Sequence, residues 1–224
     1  MRERGPRSGE SLRDLVYFPV VFNLFGIAII GVLYAASPGH LVESDALNTV
    51  LYLGVFMTEW SLFYIVVRRL GIAGVRGLFE RRRTKWLPSA LVFISLNLLF
   101  TAYMYIALRS GRIPPWGRLN PFQVFFFLVL NPITAGVIEE LIWRGYFIEK
   151  LLVAGKTEWS AIVVSSISFA FIHGFIVFEK LAVTFVFGVL AAAYYVRERN
   201  LPVLIASHIV VDVIAFGMPF IITA

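Results

Sequence analysis

Two adjacent acids and an arginine, Glu139, Glu140 and Arg144, sit in the string EELIWR inside an otherwise apolar stretch. On a helix Glu140 and Arg144 share a face with the acid N-terminal to the base, the order that favours an ion pair. Glu139 points about 100° away from Glu140 and is free to face a cavity. A carboxylate so placed can take a proton from water. His173 follows Phe169 by four residues in FAFIHG, so the two side chains share a face. His208 and Asp212, in HIVVD, have the same spacing. There the acid can accept from the imidazole and fix its tautomer. Glu59, in FMTEW, is a further acid in an apolar segment, with no motif around it. His40 lies in a polar loop and carries no weight.

Each group also has a plainer use. Glu139 and Glu140 can be helix-end acids near an interface. A lone buried His can donate to a backbone carbonyl, and a His–Asp pair can stitch two membrane helices together. Their joint occurrence argues against these uses. A charge at mid-bilayer costs roughly 2.5–3.5 kcal/mol on insertion scales, and three separate apolar segments each carry an acid or a His. The least costly arrangement is convergence on a shared, partly wet cavity. A carboxylate, an imidazole and a second polar pair can polarise a water and stabilise an oxyanion, which is the equipment for amide hydrolysis.

The elements that must position these groups are apolar. Of 224 residues, 59% are hydrophobic and 15% charged, too little charge for a soluble domain. The expected fold is all-α: a polytopic transmembrane bundle of seven or eight helices, forming a single domain over 1–224. Apolar segments run over 15–36, 46–67, 87–108, 121–143, 158–178, 180–197 and 201–222. About 20 residues cross the hydrocarbon core, so 15–36 reads as a first span rather than a signal peptide. A kink or break is expected at Asn131-Pro132, and a tight turn near Glu179-Lys180. The basic segment 68–86 suits either the lipid surface or a solvated loop. Sixteen of the twenty Lys and Arg residues fall on one side of this arrangement. That bias puts the N-terminus in the cytoplasm and the C-terminus outside. It also sets Glu139 and His208 toward the cytoplasmic side, while His173 lies roughly 22 Å along its segment.

Several chemistries are excluded. There is no Cys, hence no disulfide, thiolate metal site or cysteine nucleophile. No His is followed by Glu, so HExxH is absent; GxSxG and GxGD are absent too. The net charge of +6 does not imply nucleic acid, because the basic residues lie between apolar segments rather than on one face. Glu139, His173 and His208 are competent metal ligands, but water activation by Glu and His does not require a metal, so no cofactor is expected.

These strings resemble the CAAX-protease and bacteriocin-processing family, whose eukaryotic members are the type II CAAX prenyl endopeptidases. EExxxR is met by Glu139, Glu140 and Arg144, and FxxxH by Phe169 and His173. A looser motif is met by Phe185, Gly188 and Ala192, and the last by His208 and Asp212. Four motifs occur in order over residues 139–212, within a motif-bearing core of 121–222. The resemblance implies an intramembrane glutamate-type protease. In it, Glu139 and His173 activate the attacking water, with Glu139 as general base. His208 and Asp212 stabilise the oxyanion or position the water. Glu140 and Arg144 brace the site, and Gly188 and Ala192 permit close helix approach. Some family members carry Asn at the last position, whose amide can donate. An ionised Asp only accepts. Asp212 therefore acts either protonated or by orienting His208.

The implied substrate is a membrane-associated peptide or protein cut near its C-terminus, carrying a prenyl group or a C-terminal anchor. The other partner is the bilayer. Two functions of other classes compete: a non-catalytic scaffold or bacteriocin-immunity protein on the same fold, and a proton-coupled transporter, which the lack of an internal repeat disfavours.

Overall fold

The computed structural model describes residues 8–36, 45–80, 85–112, 120–173 and 177–221. Arg2, Arg4, Arg7, His40, Arg81, Arg82, Arg83 and Arg118 lie outside them. The described residues form helices and no strand. We number them α1 (Ser8–Ala36), α2 (Asp45–Leu78), α3 (Trp86–Arg109), α4 (Pro121–Val153), α5 (Glu158–Ile172), α6 (Phe178–Glu198) and α7 (Leu201–Ile221). The expected all-α bundle is what forms. Helices α3, α4, α6 and α7 are long and apolar enough to cross a membrane, while α5 is a shorter apolar helix. Large apolar side chains such as Leu24, Leu98, Tyr105 and Phe178 point outward. That much outward apolar surface suits lipid better than water.

Three elements differ from the sequence expectation. Helix α4 extends ten residues past the expected end at 143. Its start is fixed by a capping box between Asn120 and Gln123, with Pro121 in the first turn. No break occurs at Asn131-Pro132. A π-helical turn over Phe126–Leu130 directly precedes them instead. The wider turn accommodates a residue that has no N–H and whose ring crowds the preceding turn. A second π-helical stretch covers Leu141–Ile148. Within it the Trp143 carbonyl accepts from Ser165 Oγ of α5 at 2.6 Å. The charges that follow are met inside the protein: Glu149 pairs with Arg199 and accepts from the Tyr195 hydroxyl at 3.0 Å.

Helix α5 stops at Ile172, short of the expected 178. His173 leaves helical geometry at φ −82°, ψ 5°, and its N–H reaches back only to Ala170 O, 3.1 Å away. Carbonyls freed at such an end need partners in an apolar setting. Asn23 Nδ2 of α1 donates to Phe171 O at 2.7 Å, and the His173 ring takes Phe169 O at 3.1 Å. Glu179 and Lys180 lie not in a turn but in the first turn of α6.

The first half of the basic segment 68–86 is helix rather than loop. Helix α2 continues through it to Leu78 with a kink at Gly71, where φ is 68°. That conformation costs glycine little and other residues more. Arg69, just before the kink, pairs with the buried Asp14 of α1. The Tyr146 hydroxyl donates to the same carboxylate at 3.2 Å, tying α1, α2 and α4 together.

Two glycines set the helix approaches that matter for the site. A Cβ on Gly136 of α4 would stand 2.8 Å from Ile209 Cγ1 and 3.2 Å from Ile209 N of α7. One on Gly188 of α6 would stand 3.0 Å from Ser166 Cβ and 3.1 Å from its Cα on α5. Small residues allow such contacts between membrane helices. Because backbone must move, Gly188→Ala is expected to destabilise the protein by about 1–3 kcal/mol, read as a lowered unfolding midpoint in detergent. An unchanged midpoint would show that α5 and α6 separate at little cost.

Candidate active site

Three helices, α4, α5 and α7, deliver these ionisable groups to one place. Glu139 on α4 lies between two imidazoles: its Oε2 is 3.8 Å from His173 Nε2 and 3.7 Å from His208 Nε2. Asp212 Oδ1 is also 3.8 Å from the same Nε2 of His208. Glu139 and His208 are buried, and Glu139 Oε2 has no hydrogen-bond partner among the described residues. Separations of 3.7–3.8 Å exceed a direct hydrogen bond. A single water at ordinary hydrogen-bond length can bridge such a gap.

The outer nitrogens fix how the rings are used. Phe169 O can only accept, so the hydrogen of neutral His173 sits on Nδ1 and Nε2 presents a lone pair toward Glu139. His208 Nδ1 is 2.8 Å from Glu140 Oε1. That oxygen also accepts from Arg144 Nη1 at 3.0 Å. A carboxylate committed to a guanidinium is an acceptor, so His208 Nδ1 donates and Nε2 faces Glu139 and Asp212. The spacing in HIVVD suggested that Asp212 orients His208; the hydrogen bond that does so comes from Glu140.

Arg144 and Glu140 are both fully enclosed. The guanidinium carbon lies 4.1 Å from the Phe169 ring centre and 5.6 Å from that of Phe187, an attractive placement over aromatic faces. Phe169 and Phe187 stack at 5.7 Å, and Phe187 meets the His208 ring at 5.1 Å. The two phenylalanines pack against both the arginine and the histidines. Among the described residues no group of three or more His, Asp and Glu side chains is arranged to hold a metal ion.

Comparison with known families picks out one region of the chain. Residues 121–214 match the family model of Rce1-like type II CAAX prenyl endopeptidases. No curated protein and no solved structure matches the chain. The matched region carries all four motifs, and it contains α4, α5, α6 and most of α7. Apolar helices of spanning length together with this match make the chain an integral membrane protein.

The Rce1-like region also reconciles depths that the sequence left in conflict. Glu139 is not at the end of its helix, since fourteen residues, about 20 Å of helix, follow it to Val153. Helix α5 returns over fifteen residues, about 22 Å, and so brings His173 back to the level of Glu139. Leu201, at the start of α7, lies beside Gly145, so α7 begins partway down and His208 arrives at the same level.

Sequence reasoning missed several participants. Phe187, not Phe185, contacts the site; only the packing of α6 against α5 and α7 decides between them. Gly136 precedes Glu139 by one turn, as a small residue opposite a close helix would, but a lone glycine gives no such signal. Glu59 of α2 is buried, its Oε2 has no hydrogen-bond partner among the described residues, and it interacts electrostatically with Glu139 and Asp212. Lys180 of α6 interacts electrostatically with Glu139, Asp212 and His173.

Proposed function

We propose that the chain is an intramembrane endopeptidase in which Glu139, His173 and His208 activate a water for attack on a peptide carbonyl. The observation that carries the reading is the placement of Glu139 Oε2 at 3.7–3.8 Å from two imidazole nitrogens, each oriented by a hydrogen bond at its other nitrogen. Glu139 accepts the proton of the attacking water. His173 Nε2, holding a lone pair, accepts the water's second hydrogen and aims its oxygen. His208 and Asp212 line the opposite wall, where His208 Nε2, when it carries a proton, donates to the oxyanion as the carbonyl becomes tetrahedral. Glu139 then holds the proton taken from the water. Glu140 and Arg144 keep the His208 ring in place and do not touch the reacting atoms. The reading uses no resident metal.

The matched family model and the membrane setting support a substrate class. We place it as a membrane-associated protein or peptide, prenylated or carrying a C-terminal anchor, cut near its C-terminus. The orientation we propose is N-terminus cytoplasmic and C-terminus outside. It is supported by a basic end of the bundle where Arg69 pairs with Asp14, Lys85 lies 3.3 Å from Glu198, and Arg199 pairs with Glu149.

The test needs no prior choice of substrate. C-terminal peptides of membrane proteins are compared by mass spectrometry between cells with the wild-type chain and cells with Glu139→Ala at equal abundance. Uncut C-termini are expected to persist only with the variant, and their sequences define the substrate. Matching profiles from two folded, abundant proteins would overturn the protease reading in favour of a non-catalytic scaffold or immunity role.

A further inference from the structure

Glu59 stands out because its position on α2 calls for an apolar residue. Leu62 and Val66, three and seven residues on, are buried in the core, and Glu59 continues the same helical stripe. It is 5% exposed, and its Oε2 has no hydrogen-bond partner among the described residues. A charged or polar group buried that way is expensive and calls for a compensating role.

Its height in the bundle is bracketed by contacts between α2 and α4. Thr49 accepts from Gln123 Nε2 at 3.0 Å, Phe56 meets the Phe126 ring at 5.8 Å, and Arg69 donates to the Tyr146 hydroxyl at 3.3 Å. Helices α2 and α4 therefore run parallel, and Glu59 sits between the Phe126 and Tyr146 levels, beside the helix that carries Glu139. Asp212 lies one turn of α7 beyond His208. Glu59 interacts electrostatically with both Glu139 and Asp212. Around this acidic group stand Arg144 of α4, His173 of α5, Lys180 of α6 and His208 of α7.

The water-activating set lacks one component. Glu139 and the histidines handle the water and the oxyanion, but an amide nitrogen leaves only after it gains a proton. We propose that Glu59 is the acid that protonates the departing nitrogen. The inference rests on the peptidase reading above and adds a second carboxyl to it. The cycle starts with Glu59 carrying a proton and Glu139 ionised. Water gives a proton to Glu139 as its oxygen bonds to the carbonyl carbon. The C–N bond then breaks, its electron pair goes to nitrogen, and Glu59 supplies the proton there. Glu59 recovers its proton from Glu139, directly or through a water, and both acids return to their starting state. One water is consumed, and a carboxyl and an amine are formed.

The test is a change of leaving group. A peptide substrate identified by the C-terminal comparison is made in two forms, one with the scissile amide and one with a thioester in its place. A thiolate leaves without a proton, since an ordinary thiol titrates at about 8.5. For Glu59→Gln the amide kcat is expected to fall roughly 10²-fold or more, the low end for a lost general acid, while the thioester kcat stays within about threefold. Thioester turnover also reports that the variant is folded. Equal losses on both substrates would overturn the proposal and make Glu59 a structural or positioning group, as would no loss on either. Glu59→Asp, which keeps an acid on a shorter stem, is expected to retain more amide activity than Glu59→Gln; the reverse order would also overturn it. If Glu139→Ala hydrolyses the amide as well as the wild type does, the peptidase reading itself fails, independently of Glu59.

Discussion

Glu139→Gln is expected to lower kcat on the natural substrate by roughly 10²–10⁴-fold with little change in KM, the range for loss of a positioned general base. The amide is nearly isosteric but cannot accept the proton of the attacking water. The packing around position 139 favours a clean result. Gly136, one turn earlier, lets α4 approach α7 closely, so the side chain at 139 is held against His208 whether it is acid or amide. A loss expressed mainly in KM would mean that Glu139 holds substrate rather than water.

The largest expected effect on stability belongs to Arg144. Its guanidinium is buried, lies 3.0 Å from Glu140, and is stacked on Phe169. Removing it by Arg144→Leu leaves the Glu140 carboxylate enclosed without its counter-charge, a change that costs about 3–5 kcal/mol when a buried pair is broken on one side. The double change Arg144→Leu with Glu140→Leu removes both charges, and it is expected to recover much of that stability. Activity should not return with it, because His208 Nδ1 loses the acceptor that fixes the ring. Arg144→Lys is a poor substitute, since an ammonium has neither the planar fork nor the stacking face. Thermal unfolding in detergent together with turnover separates the two effects. If the double variant were as unstable as the single one, the pair itself would be holding α4 against its neighbours.

Much of this arrangement was legible in the amino-acid order. The bilayer leaves a single span little choice but helix, so the apolar segments predicted the bundle. The spacing of Glu140 and Arg144 predicted their pairing. It is kept although a π-helical stretch follows Glu140. The cluster of Glu139, His173, His208 and Asp212 was legible as a set, since four ionisable groups in apolar runs have few low-cost arrangements other than together.

What escaped the sequence is set by tertiary contacts. At the end of α5, Asn23, far away in the chain, donates to the Phe171 carbonyl. The partner of His208 is decided by how α4 crosses α7, which makes Glu140 its hydrogen-bond acceptor and leaves Asp212 at 3.8 Å from Nε2. Glu59 has no motif. Only its burial on α2, beside the helix that bears Glu139, separates it from an ordinary interfacial acid.

The central claim is that Glu139 and His173 act on one water as a unit, and a double-mutant cycle measures this most directly. Glu139→Gln, His173→Ala and the double variant are compared with the wild type by kcat on one substrate, with folding checked in each. Groups that share one task are strongly non-additive. The double variant is therefore expected to be about as slow as the worse single variant. Losses that multiply in the double variant would show two independent contributions and contradict the account.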